Sequence, residues 1–346
     1  MVSTTVSIII PTYNRADALR AALETIGRQT YPRGAVETIV IDDGSTDSTS
    51  QVAAAAYPVM PRYIRQAHRG STTARNTGAN ESHGDVLIFL DDDILIEPGF
   101  VGGLVHEHET HARVVGLGAF RPYHLPDESS FRRVYAELTE ILKCVPALKC
   151  VPAGAVNAEA SFIECTSNAF SVRRADFFNI GMMQDLIGDG QGLWGDVDFG
   201  YRAYRMDFAF RRNPAAVCYH NDYAINDRED YTRRSEKIAC WSVALIRKYP
   251  ELDGQLPMLA DKRPIAFGED NPRLIIRKTV RAFTSTRPLL TLLERNAGWL
   301  EAHYPRESLL RPVYRWIVGG YIYRGYRRGL QEYPVTATNA HHAITE

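Results

Sequence analysis

Residues 86–93 read VLIFLDDD, five apolar residues followed at once by three aspartates. A short, continuous apolar run is typical of a strand that is buried on both faces of a parallel sheet. In open α/β sheets, ligands bind just beyond the carboxyl ends of the strands. Adjacent carboxylates at such an edge repel one another, and Mg²⁺ typically binds one or two carboxylates together with substrate phosphates. The stretch therefore predicts a divalent-metal site, with a solvated acidic turn in which Asp93 caps a helix as the alternative.

Strand-like and helix-like segments alternate through the first third of the chain. Apolar runs predict strands at 6–10, 36–41, 63–66 and 86–90, and helical periodicity or composition predicts helices at 18–26, 48–56 and 71–79. Such alternation indicates a parallel sheet with right-handed crossovers. The first turn, PTYNR at 11–15, has none of the GxGxxG glycines, and the chain contains no GxxxxGK[ST]. The sequence therefore argues against a Rossmann dinucleotide site and against a P-loop.

Composition is that of a globular protein rather than a nucleic-acid or membrane-spanning one. Of the 346 residues, 45% are hydrophobic and 23% charged, and the formal net charge of -1 argues against nucleic acid as a partner. The five cysteines form no CxxC pair, which favours free thiols in a reducing compartment. The first residues lack the pattern of a signal peptide, and no apolar run approaches ~18 residues. We expect a cytoplasmic protein, or one held peripherally on the inner face of the membrane.

Four blocks, in this order and spacing, resemble a family 2 glycosyltransferase of the GT-A fold: VSIIIPTYNR (6–15), IVIDDGSTD (39–47), RNTGA (75–79) and GDVLIFLDDD (84–93). The resemblance is strong over residues 5–120, reappears at 165–221 and fades beyond about 250. It implies an α/β fold with a mostly parallel sheet flanked by helices and a helical C-terminal extension. The expected domains are a catalytic domain at 1–225, a helical region at 226–330 and a disordered tail at 331–346. Within the catalytic domain, 1–120 would bind the nucleotide sugar and 160–225 the acceptor.

The resemblance implies a metal-dependent, inverting glycosyltransferase. Such an enzyme moves one sugar from a nucleoside diphosphate sugar, here expected to be a UDP-sugar, to a hydroxyl of a glycan, lipid-linked or small-molecule acceptor. Its cofactor would be Mn²⁺ or Mg²⁺. The residues it would place around the donor are Pro11, Thr12, Tyr13, Arg15, Asp43, Arg75, Asp91 and Asp92. The residues it would place around the metal are Asp93, Asp91 and His220.

Individual roles follow from the same resemblance. Tyr13 would stack near the base, Asp43 would accept a hydrogen bond from the base or ribose, and Arg75 would lie near the pyrophosphate, which suits a guanidinium. Asp43 as a plain turn aspartate and Arg75 as a solvated helix charge are the alternatives. A histidine at the position of His220 would suit Mn²⁺ better than Mg²⁺, and an ordinary packed residue is the alternative there.

The stretch WGDVDFGYR at 194–202 resembles the acceptor-side motif of the family, in which the first aspartate is the general base. Asp196 matches that base, which inverting transfer needs in order to take the proton of the acceptor hydroxyl. Asp196 would also cap a helix at 197–206, and Asp198 would pair with Arg202 at i+4. Gly195 stands where the family usually has glutamate.

Three other interpretations bear on the function. A catalytically weak or dead nucleotide-sugar-binding GT-A module remains open because of Gly195. A sugar-nucleotide pyrophosphorylase would need a phosphate loop rich in glycine and basic residues after the first strand, and 11–15 does not supply it. A processive synthase would carry membrane helices and a QxxRW motif, neither of which occurs, so a single addition is expected.

The tandem repeat LKCVPALKCVPA at 142–153 predicts a loop that tolerates duplication.

The C-terminal third interleaves basic and aromatic residues over 270–330. Such a mixture is typical of helices that lie on a membrane surface, and it predicts a peripheral contact near a membrane-proximal acceptor. Ordinary helices that pack their aromatic side chains on the catalytic domain fit the same pattern. The residues concerned are Arg273, Ile276, Arg277, Lys278, Val280, Arg281, Phe283, Arg287, Tyr314, Arg315, Trp316, Tyr321, Tyr323, Arg324, Tyr326, Arg327 and Arg328.

Overall fold

The computed structural model describes residues 3–55, 58–121, 123, 129–134, 158–188, 194–221 and 228–334. The chain forms two compact units, Met1–Tyr123 with Leu148–Asp222, and His124–Ala147 with Tyr223–Glu346. The predicted loop at the tandem repeat, and residues 335–346 of the predicted tail, lie outside the described residues.

One mixed sheet forms the centre of the first unit. Its strand order is β3-β2-β1-β4-β8-β6-β9-β5, and β7 pairs with β9. The strands β1 to β4 form a parallel block, and β6 is parallel to β9, whereas β8 is antiparallel to β4 and β6, and β5 and β7 are antiparallel to β9. The strands are β1 Val6–Thr12, β2 Val36–Asp42, β3 Arg62–Arg65, β4 Val86–Leu90, β5 Ile94–Ile96, β6 Val114–Arg121, β7 Ala158–Ala160, β8 Ala169–Arg173 and β9 Ala209–His220.

Helices cover both faces of this sheet because its strands are apolar on both sides. Alternate side chains of β1 point to opposite faces. Val6, Ile8 and Ile10 belong to the core that includes α1, α2 and α4, whereas Ile39 and Ile41 of β2 pack with α3. The predicted α/β fold is confirmed. The helices are α1 Ala16–Ile26, α2 Thr49–Ala54, α3 Ser71–Glu81, α4 Phe100–Thr110, α5 Arg174–Ile180 and α6 Gly195–Tyr204.

Strand register brings distant segments to one edge of the sheet. Thr12 at the end of β1 lies beside Asp42 at the end of β2, and the triplet 91–93 directly follows β4 in the same parallel block. β8 runs antiparallel to β4, so its first residue, Ala169, pairs with Leu90. The last residue of β9, His220, pairs with Ile94 just after the triplet. This carboxyl-end edge is where a ligand site is expected.

The second unit is helical among its described residues, as predicted for the C-terminal region. Helices α7 and α10 pack closely, because a Cβ atom at Gly325 of α10 would lie 1.9 Å from the carbonyl oxygen of Glu236 in α7. Tyr314 of α10 is fully buried. In the part of the chain that the structure describes, no helix is both long and apolar enough to cross a bilayer. The helices are α7 Arg228–Lys248, α8 Pro272–Thr284, α9 Arg287–His303 and α10 Glu307–Glu332.

Candidate functional site

The turn at 91–93 is held in place by backbone hydrogen bonds from two neighbouring segments. The N–H of Asp91 donates to the carbonyl of Asn168 at 2.9 Å, and the N–H of Asn221 donates to the carbonyl of Asp93 at 2.8 Å. Asp92 and Asp93 are buried, so the solvated acidic turn is wrong for these two residues. Asn168 and Asn221 could not be found from the sequence, because only the antiparallel strands β8 and β9 bring them to this turn.

Each carboxylate of the triplet pairs with an arginine, and two of them share one. Asp91 forms an ion pair with the buried guanidinium of Arg75, so the interpretation of Arg75 as a solvated helix charge is wrong. Arg15 spans the other two, lying 3.2 Å from Asp92 and 2.8 Å from Asp93. Two arginines thus compensate three adjacent negative charges.

Asp92 is the most constrained of the three, although it occupies the middle position. Its Oδ2 accepts a hydrogen bond from the Thr12 hydroxyl at 2.8 Å, which ties the triplet to the end of β1. The pKa of Asp92 is raised to about 7, chiefly by burial and further by the carboxylate of Asp93, while the guanidinium of Arg15 opposes the shift. Pro11, next to Thr12, is buried within β1. Thr12 and Pro11 therefore form part of the buried end of β1 at this edge.

His220 and Asp93 face each other at the same edge. The imidazole Nε2 lies 3.8 Å from Asp93 Oδ1, which is too long for a hydrogen bond. A carboxylate oxygen and an imidazole nitrogen are both donors that Mn²⁺ accepts. Among the described residues, no three histidine, cysteine, aspartate or glutamate side chains are arranged to hold a metal ion by themselves. These two side chains thus fit a cation that takes further oxygen ligands from a bound substrate.

Asp43 organises the turn that follows β3. Its carboxylate accepts hydrogen bonds from Gln66 Nε2 at 2.7 Å and from the N–H groups of Arg69 and Gly70 at 3.0 and 2.7 Å. His68 Nδ1 lies 2.8 Å from the same carboxylate. Because a carboxylate accepts about four hydrogen bonds, these protein donors fill its capacity. A nucleotide that bound Asp43 directly would have to replace one of these donors at the carboxylate, and the His68 side chain is 58% exposed.

Tyr13 lies beside this turn and is 41% exposed. Its ring stacks on that of His68, with centroids 4.1 Å apart and an interplanar angle of 22°. Asn14 links the turn after β1 to the turn after β2. It has a positive φ of 52°, and its side-chain oxygen accepts a hydrogen bond from the N–H of Thr46 at 2.7 Å. The stacked rings of Tyr13 and His68 form a flat, accessible aromatic surface in the turns that follow strands β1 and β3 of the parallel block.

Asp196 is positioned by two backbone donors at the start of α6. The N–H of Ser167 donates to Oδ2 at 2.9 Å and the N–H of Val197 to Oδ1 at 2.8 Å. Loss of hydration raises the pKa of Asp196 above its usual value, opposed by these two hydrogen bonds and by the guanidinium of Arg75, while Asp91 raises it further. Asp196 therefore shares one electrostatic environment with the Arg75–Asp91 pair. The N-cap of α6 is Trp194 rather than Asp196, in a left-handed conformation with φ 68°.

The rest of α6 confirms one prediction and explains one departure. Asp198 accepts from Arg202 Nε at 2.9 Å, as predicted for the i+4 pair, and the same guanidinium donates to the carbonyls of Ile180 and Met182. Gly195 allows a close approach of backbone, because a Cβ atom there would lie 2.6 Å from the carbonyl oxygen of Gln184. A glutamate would not fit at 195 without moving that backbone.

Comparison with known proteins agrees with this geometry. The model of Glycosyl transferase family 2 matches residues 7–150. Glycosyltransferase AglE of Haloferax volcanii is 42% identical over 91 residues, which are 25% of this chain and 30% of AglE. Validoxylamine A glucosyltransferase of Streptomyces hygroscopicus subsp. jinggangensis is 30% identical over 220 residues, 57% of this chain and 51% of that protein. The chain thus spans about half the length of this glucosyltransferase and less than a third of AglE.

A solved structure shares the fold. The mannosyltransferase PcManGT from Pyrobaculum calidifontis, solved in complex with GDP-Man and Mn²⁺, superposes with a TM-score of 0.59 over 95% of this chain and 89% of its own, at 17% identity. The fold is therefore of the GT-A type, and the family match covers the strands and turns that carry the aspartate triplet. Residues 7–150 of this chain match the family model of glycosyl transferase family 2.

Proposed function

We propose that this protein is a metal-dependent, inverting glycosyltransferase that transfers one sugar from a nucleoside diphosphate sugar to an acceptor hydroxyl. One observation carries the proposal: the base candidate Asp196 and the aspartate triplet lie at one sheet edge, electrostatically linked through Arg75. A proton acceptor beside groups that bind a diphosphate is the arrangement that inverting transfer requires. The 30% identity to a glucosyltransferase supports transfer of a sugar.

The donor is proposed to bind across the ends of β1, β2 and β4. Tyr13 would present the free face of its ring to the base, with His68 supporting the opposite face. Arg15 and Arg75, which now pair with the triplet, would turn toward the diphosphate, because a guanidinium matches phosphate geometry. Uridine is the expected nucleoside. PcManGT was solved with GDP-Man, so the same fold also accepts a guanosine nucleotide in that protein.

Asp93 and His220, together with Asp91, would hold a divalent cation. Their mixed oxygen and nitrogen donors favour Mn²⁺ over Mg²⁺. When bound, such a cation neutralises the charge that develops on a departing diphosphate. The residues of the protein would supply only part of its coordination, consistent with a site completed by donor phosphates.

Asp196 would take the proton of the acceptor hydroxyl as the sugar carbon is attacked from the face opposite the nucleotide. The two N–H donors hold its carboxylate in a fixed orientation, and its raised pKa makes it a stronger base than an exposed aspartate. The acceptor is proposed to lie next to α6, whose N-terminus carries this carboxylate.

The experiment that tests this function is donor turnover by the Asp93→Asn variant, with exposed Asp17→Asn in α1 as the matched control. We expect Asp93→Asn to lose transfer and donor hydrolysis while its thermal unfolding remains cooperative, and Asp17→Asn to behave as wild type. Full activity in EDTA, or wild-type turnover by Asp93→Asn, would show that no metal is used at this site. Donor binding by the wild type without any turnover would favour the alternative, a catalytically dead nucleotide-sugar-binding module.

A further inference from the structure

Helix α8 is turned with its apolar side outward. Ile276, Val280 and Phe283 follow one another at i, i+4 and i+7, so they lie on one face of the helix. They are 64%, 42% and 69% exposed, whereas Lys278 and Arg281 on the other side are buried. This orientation is the reverse of that expected for an amphipathic helix on a water-soluble core.

Both buried charges have hydrogen-bond partners, which stabilise this orientation. Lys278 Nζ donates to the carbonyl of Pro264 at 2.9 Å and to Asp270 at 2.6 Å. The guanidinium of Arg281 donates to the carbonyl of Trp316 at 2.7 Å and lies 3.8 Å from the centroid of the Trp316 ring. Because removing such paired groups from their partners is costly, α8 cannot rotate to hide its apolar face.

The aromatic residues of α10 do not add to this surface. Tyr314 and Tyr326 are buried, and Tyr321 donates a hydrogen bond to Glu294 at 2.7 Å. Trp316 packs against Arg281. The prediction that these rings line a membrane is therefore wrong for Tyr314 and Tyr326, which are buried. The exposed apolar residues of the predicted interfacial surface lie on α8.

The exposed charge on α8 and α9 has one sign, although Arg277 also donates to Asp261 at 2.8 Å and Glu269, in the loop before α8, is an exposed acidic residue. Between 272 and 303, the exposed charged side chains are all arginines: Arg273, Arg277, Arg287 and Arg295. The two acidic residues of this stretch are half-buried and engaged, Glu294 with Tyr321 and Glu301 with Arg228. Phe267, in the loop before α8, is 84% exposed, and Trp299 of α9 is exposed as well.

We propose that this α8 face, formed by Ile276, Val280 and Phe283 with Arg273 and Arg277, docks on an anionic lipid surface. Apolar and aromatic side chains enter the boundary between headgroups and acyl chains, while arginines bind the headgroup phosphates. A purely apolar protein partner would gain nothing from a rim whose exposed charge is mainly positive, whereas anionic lipid is complementary to it. The surface belongs to the second unit, whereas the candidate transfer site belongs to the first, and the inference does not depend on the function proposed above.

Vesicle flotation with the full chain tests this inference. We expect the protein to float with vesicles that contain phosphatidylglycerol and to remain in the bottom fraction with phosphatidylcholine alone. About 1 M salt, where the Debye length is ~3 Å, should release it. The double variant Ile276→Ser/Phe283→Ser should lose binding by at least ~10-fold, because it removes two inserted side chains. Arg273→Gln should lose about five-fold.

Two control variants make comparable substitutions of exposed side chains elsewhere in the chain. Met60→Ser removes an exposed apolar side chain of the first unit, and Arg20→Gln removes an exposed arginine of α1. Both should float as wild type. A wild-type protein that stays in the bottom fraction with anionic vesicles, or an α8 variant that floats unchanged, overturns the proposal. It is likewise overturned if sedimentation shows a dimer that Ile276→Ser/Phe283→Ser dissociates, since the face would then bind a second copy.

Discussion

The three adjacent carboxylates of the triplet coexist because each occupies a different environment. Asp91 pairs with Arg75, Asp92 is buried against Thr12, and Asp93 pairs with Arg15 and faces His220. Like charges this close are unfavourable without such compensation. A bound cation and diphosphate would replace these ion pairs rather than add uncompensated charge. The arginines would then pair with the phosphates, and the carboxylates would bind the cation.

Asp196→Asn is predicted to lower turnover by ~10²–10⁴-fold, the usual contribution of a general base. Asparagine keeps the size of the side chain and can still accept from the N–H of Ser167, so the edge should keep its shape. Nucleotide diphosphate affinity, measured by calorimetry, should stay nearly unchanged. A parallel loss of nucleotide binding would make Asp196 a binding residue instead.

The pH profile of the wild type provides an independent check on this assignment. A base acts only when ionised, and the pKa of Asp196 is raised. Activity should therefore fall as the pH is lowered through this raised pKa, at a higher pH than the ~3.9 of an ordinary aspartate. An acid limb no higher than that of an exposed carboxylate would contradict the assignment, provided that the protein remains folded over the range.

For single residues, the sequence predicts which side chains lie at the candidate site but not most of their hydrogen-bond and ion-pair partners. Asp91, Asp93 and Asp196 are found from motif positions, and the Asp198–Arg202 pair follows from helix geometry alone. The hydrogen bond from Thr12 to Asp92 joins residues 80 apart, and no local pattern reports it. The same holds for Asp43, whose donors come from the turn after β3, since that turn is placed by sheet register.

The start of α6 depends on the absence of a side chain at Gly195. The carbonyl of Gln184 approaches to 2.6 Å from the position of a Cβ atom, and backbone cannot move aside as a flexible side chain can. Gly195→Ala is therefore predicted to destabilise the protein by ~1–3 kcal/mol, the usual cost of overpacking. It should also lower turnover, because Asp196 is the next residue. Denaturant unfolding and steady-state kinetics measure the two effects.

Gly34→Ala is the matched control for this substitution. A Cβ atom at Gly34 would meet nothing within 4 Å, so its unfolding midpoint and turnover should equal those of the wild type. If Gly195→Ala proved as stable and active as Gly34→Ala, the close approach would have no consequence for Asp196.

Elements are predictable where periodicity and sheet pairing are local. The strands of the parallel block are found within a few residues, because β1, β2 and β4 are mostly apolar runs between turn signals. The later strands are harder: β9 extends over Ala209–His220 although only 215–219 reads as a strand, since its first half carries polar residues such as Arg211 and Asn213. Those residues are engaged by Glu107 of α4, a partner more than 100 residues away.

At the scale of the whole molecule, the candidate site lies within one compact unit. All the segments that build it, from Thr12 to His220, belong to the first unit, whereas α8 belongs to the second. Donor binding and lipid binding can therefore be measured separately on the same full chain. The orientation of α8 could not be predicted from its sequence, because its apolar periodicity is that of a helix facing a core. Only the contacts of Lys278 and Arg281 determine which side is buried.

In a thermal-shift screen, a nucleoside diphosphate sugar is predicted to stabilise the chain only when it is a suitable donor and Mn²⁺ is also present. A ligand that binds the folded state alone stabilises it by mass action, about 2.7 kcal/mol at a concentration of about 100 Kd. UDP-sugars are expected to give the largest shift. Asp93→Asn should abolish the metal-dependent part, and Asp17→Asn should preserve it. Equal shifts with and without EDTA would mean that the donor binds without the metal, and the absence of a shift with every sugar nucleotide would contradict a donor site at this edge.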